Sequence, residues 1–367
     1  MCAKATVQSD SWVLKLLKNP LGLLSFILLV VATGLAVFAY VLAPDDTPNA
    51  NNMHLSIAAK PPGFTVLMCA VPNLQPPVVS WWDAFLYGRP KGVLELPIRD
   101  YELSDTGLNV TLLQAEADGT ETKFFSFEQL SSSEEKFELN QFIQSYTFWL
   151  GTDKYGRDLL SRMLIGLRVS LSVGFIAVLI SLLIGIGLGA MAGYFGGRTD
   201  QIIMWLINVT WSIPTLLLVI AITLALGKGF WQVFIAVGLT MWVEVARVVR
   251  GQVMSVKQRQ YVLAARALGY SDTRIIWRHI LPNALTPVII ISAANFASAI
   301  LIESGLSFLG IGAQPPIPSW GSIIKDHYAY IVLGKPYLAL VPGFALMILV
   351  MAFMLLGNAL RDVLDVK

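Results

Sequence analysis

Charge is scarce in this sequence. Asp, Glu, Lys and Arg make up 14% of its 367 residues, against about 25% in an ordinary soluble domain. Mean hydropathy is +0.65. Together these exclude a chain that is soluble throughout. The net charge of +2 leaves no large basic surplus, so nucleic acid is not an expected partner. Cysteine is almost missing. Cys2 and Cys69 lie on opposite sides of the first apolar run, which gives neither a disulfide framework nor metal-ligand spacing. His54, His279 and His327 are scattered and form no ligand cluster. No G-x-x-x-x-G-K-[ST] segment occurs, so nucleotide binding by such a loop is excluded. Gly185-Ile186-Gly187-Leu188-Gly189 lies inside an apolar run with no strand before it, which rules out a dinucleotide fingerprint. No Ser/His/Asp set or placed carboxylate pair appears. Neither a catalytic residue nor a cofactor or metal is expected on this chain.

Long apolar runs are plentiful. Residues 21–43 carry no charge, and about 20 such residues cross a bilayer. A basic start with Lys4, Lys15 and Lys18 precedes this run, as in a signal peptide. The run exceeds the roughly 7–15 residues of a signal core, so a retained first helix is expected. Five further spans are expected at about 169–195, 201–226, 230–249, 285–309 and 338–360. Gly185, Gly189 and Gly193 recur every four residues in the second, where a neighbouring helix can pack closely. Pro214 lies inside the third beside Asn208, Thr210, Trp211 and Ser212. A kink there faces either packed protein or a water-filled path. With the N-terminus inside, the predicted inner segments hold thirteen lysines and arginines and the short outer ones three. That bias places both termini inside.

Residues 44–150 differ. They hold nine prolines and more acids than bases. The runs Phe64–Cys69, Val93–Ile98, Leu108–Leu113 and Lys123–Phe127 alternate as strands do, and Asp118-Gly119 marks a hairpin turn between two of them. This reads as an extracytoplasmic insert, β-rich or α+β. Trp81 and Trp82 are expected in its core rather than at a membrane interface. The division is therefore 1–43 (N-terminus and first helix), 44–150 (insert) and 151–367 (five helices and a basic loop at 247–283).

Residues 151–170, GTDKYGRDLLSRMLIGLRVS, crowd Asp153, Arg157, Asp158, Arg162 and Arg168 before the second span. An amphipathic interfacial helix with i,i+4 pairs such as Asp158 with Arg162 is expected, in preference to substrate contact. Two acids fall inside spans, where charge is costly and faces a cavity or partner. Glu244 can pair locally with Arg247. Glu303 lies toward the outer end of the fifth span, either lining a path or bonded at a packing seam.

The stretch from Trp242 to Asn283 holds seven Arg and Lys against Glu244 and Asp272, which places it on the cytoplasmic side. Its middle is helical in pattern but too polar to span. Tyr261, Ala264, Ala265, Leu268 and Gly269 share a face of small side chains, on which another backbone can approach closely. Pro282 is expected to end the element.

Ala264-Ala265, Gly269 and Leu281-Pro282 are similar to the "EAA" loop of ABC-importer permeases. Leu263 stands where the motif has an acid and His279 where it has isoleucine. Gly151, Thr152, Asp153, Gly156, Arg157, Asp158, Ser161, Arg162, Gly166, Arg168, Ser170 and Leu171 match the GTDxxGRDxxSRxxxGxRxSL segment of the dipeptide/oligopeptide/nickel branch. The run from Glu303 to Gly321, ESGLSFLGIGAQPPIPSWG, resembles that branch's E(A/S)xLSFLGxGxxPPxPSWG stretch. Three motifs in the right order cover 150–367 closely and 1–43 loosely, and leave the insert uncovered. The resemblance implies an all-α polytopic permease of six transmembrane helices in a bacterial cytoplasmic membrane. It implies a sister permease in a heterodimeric pore, two ATPase subunits that bind the ATP, and an extracytoplasmic solute-binding protein. Tyr261, Ala264, Ala265, Gly269, His279, Leu281 and Pro282 would then dock the ATPase through the 254–282 loop. Glu303, Ser307, Pro315, Pro316 and Trp320 would form a pore or outer gate. The rival reading is an ion-gradient-driven secondary transporter, which usually shows inverted repeats. No convincing repeat is present.

Overall fold

The computed structural model describes residues 19–72, 78–113, 121–130, 142–227 and 229–364. Cys2, Lys4, Lys15, Lys18 and the Asp118-Gly119 turn lie outside the described residues. The chain divides into two compact units, one of residues 34–169 and 315–344, the other of 170–314 with 1–33 and 345–367.

α1 (Pro20–Val37) opens the chain. The Asn19 side chain accepts from the N–H groups of Leu21 and Gly22 at 3.1 and 3.3 Å. That is an N-cap with proline at the first helical position. The first unit is built on an antiparallel sheet of order β4-β3-β2-β1-β5. Its parts are β1 (Phe64–Pro72), α2 (Trp81–Tyr87), β2 (Val93–Ser104), β3 (Gly107–Leu112), β4 (Thr122–Ser126) and β5 (Ile143–Phe148). Side chains alternate across β1. Cys69 packs with Ile98, Leu108 and Val110 on one face, and Val66 and Met68 with Ile57 and Phe148 on the other. Burial pushes the Cys69 thiol up to about 11, so it is an inert core group. Trp81 and Trp82 are not core residues: they are 60% and 65% exposed, on the short α2. Trp81 instead stacks on Phe85 within the same helix, at 5.7 Å between ring centres.

α3 (Leu159–Phe195) is 37 residues long and starts well before the expected second span. α4 (Gly197–Ser212) and α5 (Thr215–Leu226) follow, then α6 (Phe230–Lys257). The basic loop holds α7 (Gln260–Ala267), α8 (Asp272–Ile275) and α9 (Leu281–Ala284). α10 (Thr286–Phe308), α11 (Trp320–His327) and α12 (Tyr337–Leu364) complete the chain. Among the described residues α1, α3, α6, α10 and α12 are each long and apolar enough to cross a bilayer. The expected third span is not a single rod. α4 and α5 are bent by 95° where Ile213-Pro214 interrupts them. Proline removes a donor and clashes with the preceding turn. α6 runs past Val249 because Val249, Val253 and Val256 keep burying the same face.

Three glycines of α3 meet α6. A Cβ on Gly185 would stand 2.6 Å from Val245 Cβ, one on Gly189 2.5 Å from the Ala246 carbonyl, and one on Gly193 2.7 Å from the Arg250 carbonyl. Backbone touches backbone along this seam, as small residues allow. Gly189→Val is expected to cost about 1–3 kcal/mol through overpacking and to lower the thermal midpoint in detergent. An unchanged midpoint would refute the seam.

Candidate functional site

The basic loop is anchored by valines and presented by small residues. Val262 and Ala265 are buried with Val253, Ile275, Ile280 and Leu281. Ala265 therefore faces the core and leaves the expected small face. Tyr261, Ala264, Leu268 and Gly269 remain exposed. α7 ends in a Schellman turn: Tyr270 N–H donates to Ala265 O at 3.2 Å and Gly269 N–H to Arg266 O at 3.0 Å. Gly269 sits at φ +77°, where a side chain is strained but meets no neighbour within 4 Å. Pro282 does not end the element. It lies in the first turn of α9. The chain widens to a π turn over Ile276–Ile280 just before it, and Leu281 N–H donates to Ile276 O. Such a turn absorbs the donor that proline lacks. His279 stacks on Tyr270 at 5.9 Å, and its backbone carbonyl accepts from the Asn283 side chain at 2.8 Å.

Residues far from the motif brace this loop. Tyr194, at the end of α3, donates to Asp272, and its carbonyl accepts from Lys257 Nζ. Arg266 lies over the Tyr194 ring at 5.4 Å. Arg250 grips Asp200 with two bonds of 2.5 and 2.6 Å. No local spacing pairs these residues, so the sequence carried no signal for them.

The segment before α3 is not an interfacial helix. Residues 151–158 form a buried loop seated on 45–60. Asp153 accepts from Arg157 Nε at 2.6 Å, and Arg162 Nε lies 3.6 Å from the same oxygen. The arginines also donate to Asn51 Oδ1 at 3.0 Å and to the Asn49 carbonyl at 3.4 Å. Asp158 does not pair with the Arg162 side chain. It takes the Ser161 hydroxyl and N–H instead, and burial raises its carboxyl above the usual range. Gly156 is at φ +73°, and a Cβ there would collide with the His54 carbonyl. A Cβ on Gly151 would stand 2.3 Å from the Lys60 carbonyl.

Two buried histidines make this unit sensitive to acid. His327 donates from Nδ1 to the Ile323 carbonyl (2.7 Å) and accepts at Nε2 from Lys154 N–H (3.2 Å). Protonation at Nε2 would break the second bond. Burial lowers the pKa of His327 and of His54. A lowered folded value means that the unfolded chain takes up protons first. The stability these neutral rings contribute is complete above about pH 6.5 and is lost as pH falls below it. Asp158 acts oppositely, at lower pH. The thermal midpoint is expected to drop between about pH 7.5 and 5.5, and His327→Gln to flatten that slope. An identical slope in the variant would refute this.

Glu303, in α10, is 1% exposed. Its carboxylate accepts from Ser307 Oγ at 2.6 Å and, more weakly, from Ser170 Oγ at 3.4 Å. Ser307 Oγ in turn accepts from Ala313 N–H at 3.1 Å. In the other unit Pro315 and Pro316 are exposed. Trp320 is buried, and its indole N–H donates to the Met163 carbonyl at 2.9 Å. Gly166 leaves room for that ring, since a Cβ would stand 3.0 Å from it. Glu244 does not pair with Arg247. Arg247 lies over the Trp211 ring at 3.7 Å, and Glu244 lines a cavity.

Residues 185–367 match the family described as "Binding-protein-dependent transport system inner membrane component". The chain is 40% identical to the glutathione transport system permease protein GsiD of Pectobacterium atrosepticum, over 61% of this chain and 74% of that protein. It is 41% identical to the dipeptide transport system permease protein DppC of Alkalihalophilus pseudofirmus, over 60% and 72%. It is 38% identical to the oligopeptide transport system permease protein OppC of Bacillus subtilis, over 60% and 72%. The chain belongs to this family of ABC-transporter permease components. Such components sit in the membrane and are not themselves enzymes.

Proposed function

We propose that this chain forms half of the translocation pore of an ATP-driven importer for di- or oligopeptides or a related small solute. Six spans result if the bent α4–α5 pair counts as one. The charge bias then puts both termini and the 254–282 loop on the cytoplasmic side and the sheet-containing insert outside. ATP binds on two partner ATPase subunits, and a sister permease completes the pore. A solute-binding protein delivers cargo at the outer face, where Glu303, Ser307, Pro315, Pro316 and Trp320 belong to the gate region. The observation that carries the reading is the exposed, backbone-accessible α7 surface of Tyr261, Ala264 and Leu268 on a basic loop. Its family relatives are named for glutathione, dipeptide and oligopeptide transport.

The test is a mild-detergent pull-down from native membrane, followed by uptake of labelled dipeptide into proteoliposomes with and without ATP. An ATPase, a second permease and a binding protein are expected to co-purify, and uptake to require ATP. A chain that purifies alone and transports on an ion gradient would overturn the reading.

A further inference from the structure

Where α4 breaks into α5, a cavity of about 310 Å³ opens. Thr210 and Trp211 line it from before the break and Thr215 from after it. Thr240 and Glu244 line it from α6, and Ser298 from α10. Interrupted backbone at membrane depth is tolerated where it lines a cavity or is buried in protein. Secondary transporters place solute sites at such interruptions, and the same backbone logic applies to a cavity lined by an interrupted helix here.

The chemistry of the wall selects its ligand. Glu244 is exposed to the cavity, and among the described residues no hydrogen bond or ion pair reaches its carboxylate. Arg247, one turn along α6, is engaged over the Trp211 ring. Thr210 Oγ1 donates its proton to the Leu206 carbonyl at 2.9 Å, and Thr240 Oγ1 donates to Val237 at 2.8 Å. A hydroxyl has one proton, so these two offer the cavity only lone pairs. A carboxylate beside two hydroxyls that can only accept, Thr210 and Thr240, suits a cation with several N–H donors. An anion is repelled. A metal ion is poorly served, because no group of three or more His, Cys, Asp or Glu side chains able to hold one exists among the described residues.

We infer that this cavity binds the primary ammonium group of the transported solute, with Glu244 as its counter-charge and Thr210 and Thr240 as acceptors. The inference rests on the permease reading, since it supplies the solute.

The test uses the full chain in lipid nanodiscs, with empty nanodiscs as blank. Saturation-transfer NMR is read for n-butylammonium, alanyl-alanine and N-acetyl-alanyl-alanine. Affinity for the first two is expected to fall about tenfold in Glu244→Gln, as for loss of a charge-assisted bond. It is expected to survive in Glu244→Asp, and the acetylated dipeptide to show no dependence on Glu244. Thr210→Val provides a second variant with the charge retained and a weaker expected loss. Equal ammonium affinity in the wild type and both Glu244→Gln and Thr210→Val overturns the site. ATPase recruitment, measured on the same preparations, separates the two readings. Recruitment with no Glu244-dependent binding removes this site alone. Glu244-dependent binding with no recruitment keeps the site and removes the permease reading.

Discussion

Asp153→Ala is expected to unfold much of the unit that holds residues 34–169. Asp153 is fully buried, and two arginines, each 4% exposed in its side chain, converge on its carboxylate. Removing the anion leaves two buried cations with the Asn51 amide oxygen, the Asn49 carbonyl and the Tyr155 ring to hold them, and no counter-charge in contact among the described residues. Breaking a buried pair on one side costs about 3–5 kcal/mol, a large part of the stability of an ordinary domain. The same carboxylate also caps the loop, accepting from the N–H groups of Tyr155 and Arg157 at 2.8 and 2.9 Å. The outcome is read as protein level in membranes and as protease resistance in detergent. Asp158→Asn is the matched control, since an amide oxygen keeps the Ser161 contacts. Its effect is expected to be small. If both variants behave alike, the arginine clamp is not what holds the loop.

Ala264→Arg is expected to abolish ATP-driven uptake while leaving the fold intact. Ala264 is exposed inside α7, and arginine is nearly as good a helix former as alanine. The variant thus changes the surface without straining the backbone. Gly269→Arg, at φ +77°, would add about 1–2 kcal/mol of left-handed strain and blur the outcome. With Ala264→Arg, ATPase co-purification is expected to fall to background and the thermal midpoint to hold. Normal co-purification and normal uptake would show that α7 is not the docking surface.

Much of this was legible in the sequence. The apolar runs showed where long helices lie, because a span must be apolar along its whole length. β1 to β4 fall on the short alternating runs. β5, reading Ile143-Gln144-Ser145-Tyr146-Thr147-Phe148, escaped because it pairs only with β1 at the sheet edge and carries polar Gln144, Ser145 and Thr147 between its apolar residues. Pro214 foretold an interruption, but not a bend of 95°. The charges of 151–162 were read as helical pairs because nearness in sequence is all a sequence shows. Arg157 and Arg162 do meet Asp153 nearby, but from a buried loop, and they also donate to Asn51 and Asn49, more than 100 positions away. Ala265 was assigned to the docking face by spacing, whereas burial is decided by what packs beneath α7. Glu244 stood out as an acid inside a span, and it faces a cavity rather than Arg247; Tyr194 had no pattern to reveal it.

The seam between α3 and α6 limits how these two helices can move. With three glycines set against valine side chains and backbone carbonyls of α6, the two rods interlock closely and resist sliding or rolling. They therefore share one set of rigid-body coordinates. The basic loop is fastened to both, through Lys257 and Tyr194. A push on α7 is then delivered as displacement of the whole pair, with little lost to bending, and compliance is left to the break at Ile213-Pro214.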